Sequence, residues 1–437
     1  MDLNHTSRRV MTAQDNSTLA ALPQMIRVRQ RFSETPAVDI AASLTRDLPS
    51  LLKPLRPGQT VAIAVGSRGI ANLREIVRQT IALIRQAGGV PFIVPAMGSH
   101  GGATAAGQEE LLAGYGITAE SMAVELCSSM AVRRIGATAD GAAVVCSEAA
   151  LAADHVLLVN RIKPHTDFGG ALGSGLLKML VVGLGKHAGA AAFHRQASRY
   201  GYERVLRESA QVLMSVLPLL GGVAVIENQR HQTARIEVVP AADLVRREET
   251  LCALARDLMP RLPFPEVDLL IVDWMGKNIS GTGMDPAVIG RMIHGYSLAD
   301  DDPLQRPRVR RLFVRDLTPE SHGNAIGIGL ADFTTARLVR AMDRKVTMTN
   351  ALTALSLQGA KVPLYFESDR EAIAAALGTL ADDDPQELRV ARIRDTLHLE
   401  ELAISERLWR EHAGTGGLEA VGTLAVVRFD AAGNLRD

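Results

Sequence analysis

VAIAVGSRGIANLREIVRQTIALIRQAGGVPFIVPAMGSHGG (61–102) decides how this chain is built. VAIAV (61–65) is an unbroken apolar run, long enough for a buried strand and too short for a helix. It breaks at Gly66-Ser67-Arg68-Gly69, after which Asn72 stands where a helix cap belongs, ahead of Leu73, Ile76, Val77 and Ile84 at helical spacing. Gly88-Gly89 ends that helix. Residues 89–96 (GVPFIVPA) then read as a second strand, which terminates in Met97-Gly98-Ser99-His100-Gly101-Gly102, and 108–113 as the next helix. Strands alternating with amphipathic helices make a mainly parallel sheet, and in such sheets ligands collect beyond the carboxyl ends of the strands. Both glycine-rich loops lie there.

The same grammar continues outward. HVLLVN (155–160) is a third strand running into RIKPHTDFGG, where Pro164 disfavours a helix. An apolar, glycine-broken segment (173–185), helices at 188–200 and 202–220, a strand at 223–226 and a charged helix at 241–258 follow. MPRLPFPE (259–266) holds three prolines and marks a domain boundary. VDLLIVDW (267–274) restarts the pattern, with strands expected at 311–316, 326–330 and 361–366, a long amphipathic helix at 385–407 and a closing strand at 423–429. The expected organisation is a mobile tail (1–22) and two α/β domains with mainly parallel sheets, an N-terminal one over 23–262 and a C-terminal one over 267–437. The closing strand is free to return to the first domain, and the active site is expected in the interdomain cleft.

Composition narrows the function. Lys plus Arg (48) equals Asp plus Glu (48), so nothing selects a nucleic acid or an anionic membrane as partner. Cys127, Cys146 and Cys252 form no C-x-x-C pair, which leaves neither a disulfide framework nor a thiolate zinc site to read. No secretory apolar region opens the chain and no run is long enough for a membrane helix, so a cytoplasmic protein is expected. The loop at 66–69 lacks G-x-G-x-x-G, which speaks against a conventional NAD site.

Several side chains remain as chemistry candidates. Arg68 beside a helix start suits an anion, phosphate or carboxylate, although capping a neighbouring helix is the plainer role. His100 and His165 each stand just beyond a strand, where two imidazoles would serve as an acid/base pair on opposite faces of one substrate. The plainer reading has each bonding only its own loop. Lys178 lies in SGLLKMLVVGLG, so apolar a setting that a buried lysine needs a partner or a covalent role, whereas Lys186 is expected to end that segment at the surface. His194, on an alanine-rich helix, packs against the core or coordinates a metal whose other ligands come from another molecule.

Taken together, Arg68 in VGSRGI, His100 in MGSHGG, His165 in KPHTDFGG, Lys178 in GSGLLKM and His194 in AFHRQ resemble the nickel-dependent lactate racemase family. These are 2-hydroxyacid racemases and epimerases that carry a nickel-pincer nucleotide. The resemblance implies that His100 and His165 are the catalytic pair, that Lys178 bears the cofactor through a thioamide, with Gly66 and Ser67 beside it, and that His194 ligates nickel. It implies further that Arg68 binds substrate, and that Lys277 or Arg291 supplies a second cation for the substrate carboxylate. His187 and Lys186 are the weaker alternatives to His194 and Lys178. Val65 stands where the family usually carries an acid, so one contact differs and the substrate need not be lactate. Two rivals share the loops: a divalent-metal lyase or hydrolase using His100, His165 and Asp167, and a small-ligand or nickel-nucleotide binding protein without turnover.

Overall fold

The structure, a computed structural model, describes residues 22–36, 38–66, 69–165, 170–292, 307–380, 384–415 and 417–436. Ser67, Arg68, Asp167 and nearly all of the expected tail lie outside these residues. In chain order the strands are β1 (Met25–Gln30), β2 (Thr60–Val65), β3 (Val90–Pro95), β4 (Val132–Ala137), β5 (Ala143–Ser147), β6 (His155–Arg161), β7 (Leu219–Glu227) and β8 (Thr233–Pro240). They continue with β9 (Glu266–Met275), β10 (Arg308–Leu317), β11 (Phe333–Thr335), β12 (Leu364–Phe366), β13 (Val390–Ile393), β14 (Glu401–Ser405) and β15 (Leu418–Ala420).

One sheet runs β3-β2-β6-β7-β8, parallel through β7 with β8 antiparallel at its edge. Its strands alternate between two cores. Val61, Ile63 and Val65 enter one with helices Ile40–Leu51 and Leu73–Gln86, while Ala62 and Ala64 enter the other with the apolar 176–184 segment. Alanines on that face leave room for the segment to lie close to the sheet. The second sheet runs β12-β11-β10-β9-β13-β14-β1-β15, parallel from β12 to β13 and antiparallel beyond. The chain is therefore α/β with mostly parallel sheets. No single helix among the described residues is long and apolar enough to cross a membrane.

Several expectations require correction. β1 lies between β14 and β15 in the second sheet, so residues 25–30 do not belong with the sheet of the first expected domain. The C-terminal residues do not return to the first sheet either: Leu418–Ala420 pairs with β1, and Ala425 bridges Met25. The expected helix at 385–407 is instead β13, a turn, β14 and the start of helix Glu406–His412. Its apolar residues, Val390, Ala391, Ile393, Leu402 and Ile404, are buried by pairing with β9 and with each other, and that tertiary burial outweighs their near-helical spacing. Residues 328–330 form a 3₁₀ turn rather than a strand. Asn72 sits at the helix start but in left-handed geometry without capping it; its amide donates to Thr233 Oγ1 instead.

Candidate active site

In the first sheet β2 has β3 on one side and β6 on the other, so the strand order reverses between β2 and β6. A crevice opens at such a switch point, beyond the carboxyl ends of the strands. Gly66 ends β2 there. A Cβ at that position would come within 2.6 Å of Asn160 Oδ1 and 2.9 Å of Met179 Cε, so only glycine allows β2, β6 and the residue after Lys178 to converge. Asn160 in turn donates to the Gly175 carbonyl at 2.8 Å.

The loop after β6 is pressed onto the segment that carries Lys178. Lys163 and Ser174 exchange backbone bonds, and a Cβ on Gly173 would lie 2.9 Å from His165 N. Tyr202 joins these pieces. Its hydroxyl donates to the Gly173 carbonyl at 2.9 Å, its ring centroid lies 4.6 Å from that of His165, and Lys178 Nζ stands 5.6 Å from it. Phe193 meets Tyr202 edge-on at 5.4 Å and His194 at 5.7 Å. His165, Lys178 and His194 thus surround one aromatic pair. His187, by contrast, is exposed at the start of helix Lys186–Tyr200.

Lys178 closes a short helix, Leu176–Lys178, that continues as a π-helix over Met179–Gly183. Such π turns frequently mark functional positions. Glu248 lies under this helix. Its Oε2 accepts from Leu177 N at 2.8 Å, its Oε1 has no partner, and burial pushes its carboxyl up to about 7 against the backbone hydrogen bonds that oppose the shift. Sequence reading passed over this residue, yet its place on the stripe Leu244, Glu248, Leu251, Cys252 and Ala255 is an acid at an apolar position. Tyr202 left no such signal.

The burial of the two lysines is the reverse of that expected. Lys178 is half-buried and reaches the aromatic pair, so its apolar neighbours do not enclose it, whereas Lys186 is wholly buried at φ +54°. Lys186 Nζ donates to the Pro95 carbonyl at 2.7 Å and to Gln108 Oε1 at 3.3 Å, and desolvation lowers its pKa to about 8. A left-handed residue at the helix start turns this side chain inward toward β3. His100 is half-buried in the loop after β3, which is fastened to the π-helix by Gly98 N donating to the Gly183 carbonyl at 3.3 Å. Cys146, pushed up to about 12 by burial, is an inert core thiol.

The second sheet reverses order between β9 and β13, and Lys277 lies just beyond β9. Its Nζ donates to the Gly281 carbonyl at 2.7 Å and to Asn350 Oδ1 at 3.1 Å; helix Arg344–Ala354, which carries Asn350, packs on helix Lys186–Tyr200. Arg291 is held elsewhere, by Asp332 at 2.9 Å and the Val309 carbonyl. Across the two sheets Lys163 faces Asp285 at 3.9 Å, while Asp285 N donates to Thr396 Oγ1 at 2.9 Å just beyond β13. The loops beyond the two switch points therefore meet at Lys163 and Asp285. Among the described residues, no group of three or more His, Cys, Asp or Glu is placed to hold a metal ion.

Comparison with known proteins gives three findings. Two solved structures are similar to this chain. One is a Thermotoga maritima protein (12% identity, 65% of this chain and 72% of that one, TM-score 0.47). The other is the lactate racemase apoprotein of Thermoanaerobacterium thermosaccharolyticum (13% identity, 84% and 83%, TM-score 0.44). No curated protein matches. Residues 13–203, which include both loop histidines, Lys178, His194 and Tyr202, match the family model of the lactate racemase N-terminal domain.

Proposed function

We propose that the chain is a racemase or epimerase of a 2-hydroxy acid that works by transient hydride removal from the substrate's Cα, using a nickel-pincer nucleotide joined to Lys178. The observation that carries this reading is the clustering of His165, Lys178 and His194 around Phe193 and Tyr202 at the β2/β6 switch point. The residues fit such a group. A half-buried lysine amine is reachable for acylation, and a single imidazole sixteen residues later suits a metal whose other donors belong to the cofactor. When bound, that group supplies hydride acceptance and return.

The remaining work falls to the chain's own side chains. His100 and His165, one on each side of the substrate, take the hydroxyl proton and give it back, each acting as base for one enantiomer. Arg68 holds the substrate carboxylate, and Lys277 is the second cation, because it lies just beyond β9 at the switch point of the second sheet, whereas Arg291 is paired with the Asp332 carboxylate away from it. The apolar 176–184 segment and the Phe193–Tyr202 pair exclude water from one wall. With Val65 where the family usually carries an acid, the substrate need not be lactate.

Intact and peptide mass spectrometry with metal analysis tests this on protein made in its native host or with cofactor-maturation enzymes. The expected result is an adduct on Lys178 and nickel bound to the protein. Lys178→Ala should lose both, and His194→Ala should lose nickel while keeping the adduct. An active enzyme with unmodified Lys178 would refute the proposal.

A further inference from the structure

We infer that Lys186 and Gln108 form a buried clamp that positions the His100 loop on the helix bearing His194, an inference that rests on the function proposed above for those two histidines. Both side chains have no exposed surface, and Lys186 is among the largest wholly buried side chains. Its ammonium holds the Pro95 carbonyl at the end of β3 and Gln108 Oε1. The amide of Gln108 then donates to the Gly98 carbonyl at 2.9 Å and the His100 carbonyl at 3.4 Å. One network thus fixes the backbone before, within and at the end of the turn that presents His100. Its other end is the first residue of helix Lys186–Tyr200, in a left-handed conformation that a non-glycine residue adopts only under constraint.

An apolar side chain would fill this space without desolvating a charge, so the lysine is explained by the carbonyls it satisfies. Those carbonyls need the donor because the glycines around them, Gly98, Gly101 and Gly102, all have positive φ and supply no side-chain bracing of their own. An acid/base group displaced by about 1 Å loses much of its effect, so a rigid mount for His100 has a direct kinetic meaning. Lys186 and Gln108 are positioning residues; neither touches the reacting atoms.

The test compares backbone hydrogen exchange in the full-length protein, Lys186→Met and Gln108→Leu, over peptides covering 97–104 and, as an internal reference, 60–65. The clamp predicts exchange faster by about tenfold at 97–104, the effect of roughly one lost hydrogen bond, with 60–65 unchanged. In matured protein, nickel and the Lys178 adduct should remain while kcat falls about tenfold and KM stays within about twofold. The double variant should be no worse than the worse single one, because the two side chains act as a unit. Exchange at the parent rate in 97–104, equal acceleration in 60–65, or a rise in KM at unchanged kcat would overturn the inference. If Lys186→Met does not fold, Gln108→Leu, which leaves the Lys186–Pro95 bond intact, carries the same comparison. A parent protein without adduct or racemisation refutes the proposed function, and the exchange data still judge the clamp.

Discussion

Replacing Glu248 by Gln should remove a pH dependence of stability that runs in the direction opposite to that of a surface carboxylate. Glu248 is wholly buried beneath the helix that ends in Lys178, with one oxygen bonded to Leu177 N and the other without a partner. Burial raises its pKa from 4.5 to about 7. Between those values the folded protein holds a proton that the unfolded chain has released, so this group's contribution to stability is complete below about pH 4.5 and is lost as pH rises through 7. At about 1.4 kcal/mol per pH unit, ionising the buried group costs about 3 kcal/mol. Glu248→Gln retains an oxygen for Leu177 N and cannot ionise. Urea unfolding of parent and variant, followed by circular dichroism from pH 5 to 8, should show the variant gaining about 2.5 kcal/mol on the parent across that range. A stability difference that is flat with pH, or that moves the other way, would refute the argument that burial of this carboxyl outweighs the backbone hydrogen bonds it accepts.

Other expectations concern the site directly. His100→Ala and His165→Ala should each lower racemisation by about 10²–10⁴-fold while leaving the circular dichroism spectrum and bound nickel unchanged; parent-level rates in both would remove them from the mechanism. Tyr202→Phe, which keeps the ring and deletes the bond to the Gly173 carbonyl, should cost about 1 kcal/mol in a denaturant titration, and Tyr202→Ala about 3–5 kcal/mol. Lys277→Ala should raise KM for the 2-hydroxy acid beyond any loss of melting temperature from freeing the Gly281 carbonyl and Asn350 Oδ1, whereas Arg291→Ala, which frees Asp332 and the Val309 carbonyl, should lower the melting temperature with KM unchanged; the reverse pattern would exchange their roles.

The strands that could be read from the sequence are those buried on both faces. β2, β3, β6 and β9 are near-continuous apolar runs, the pattern that a helix-covered parallel sheet imposes. β13 and β14 were illegible for the converse reason. Each is short, and Val390, Ile393, Leu397, Ile404 and Leu408 recur at intervals of three, four and seven that also suit a helix, so only pairing with β9 and with each other selects the extended form. β1 was missed because its partners lie at the far end of the chain.

Candidate chemistry was legible where it stood at the end of a readable strand, as His100 and His165 do. Apolar flanks alone misjudge the burial of the two lysines. Local sequence gives the average polarity around Lys178 and Lys186, but the direction of each side chain is set by the π-helix that separates them and by the left-handed backbone at Lys186. Tyr202 depends on segments around 165, 173, 178 and 193 meeting in space, which no spacing rule encodes.

The way the two sheets meet bears on how such a site would work. Their contacts near the switch points are polar: Lys163 with Asp285 at 3.9 Å, Arg230 with Glu400 at 3.0 Å, and His231 Nε2 donating to the Leu397 carbonyl at 2.7 Å. The side chains of Arg230 and Glu400 are 38% and 40% exposed, so that pair contributes little to holding the halves together. The apolar clusters, by comparison, are each built around one sheet. Chemistry that removes a hydride needs water excluded while substrate is present, and substrate must still enter. A cleft with rigid walls and a polar, weakly bonded seam meets both needs. The wall proposed to carry His165, Lys178 and His194 is packed through Tyr202, and the Lys277 side is joined to it through helix Arg344–Ala354, which packs on helix Lys186–Tyr200.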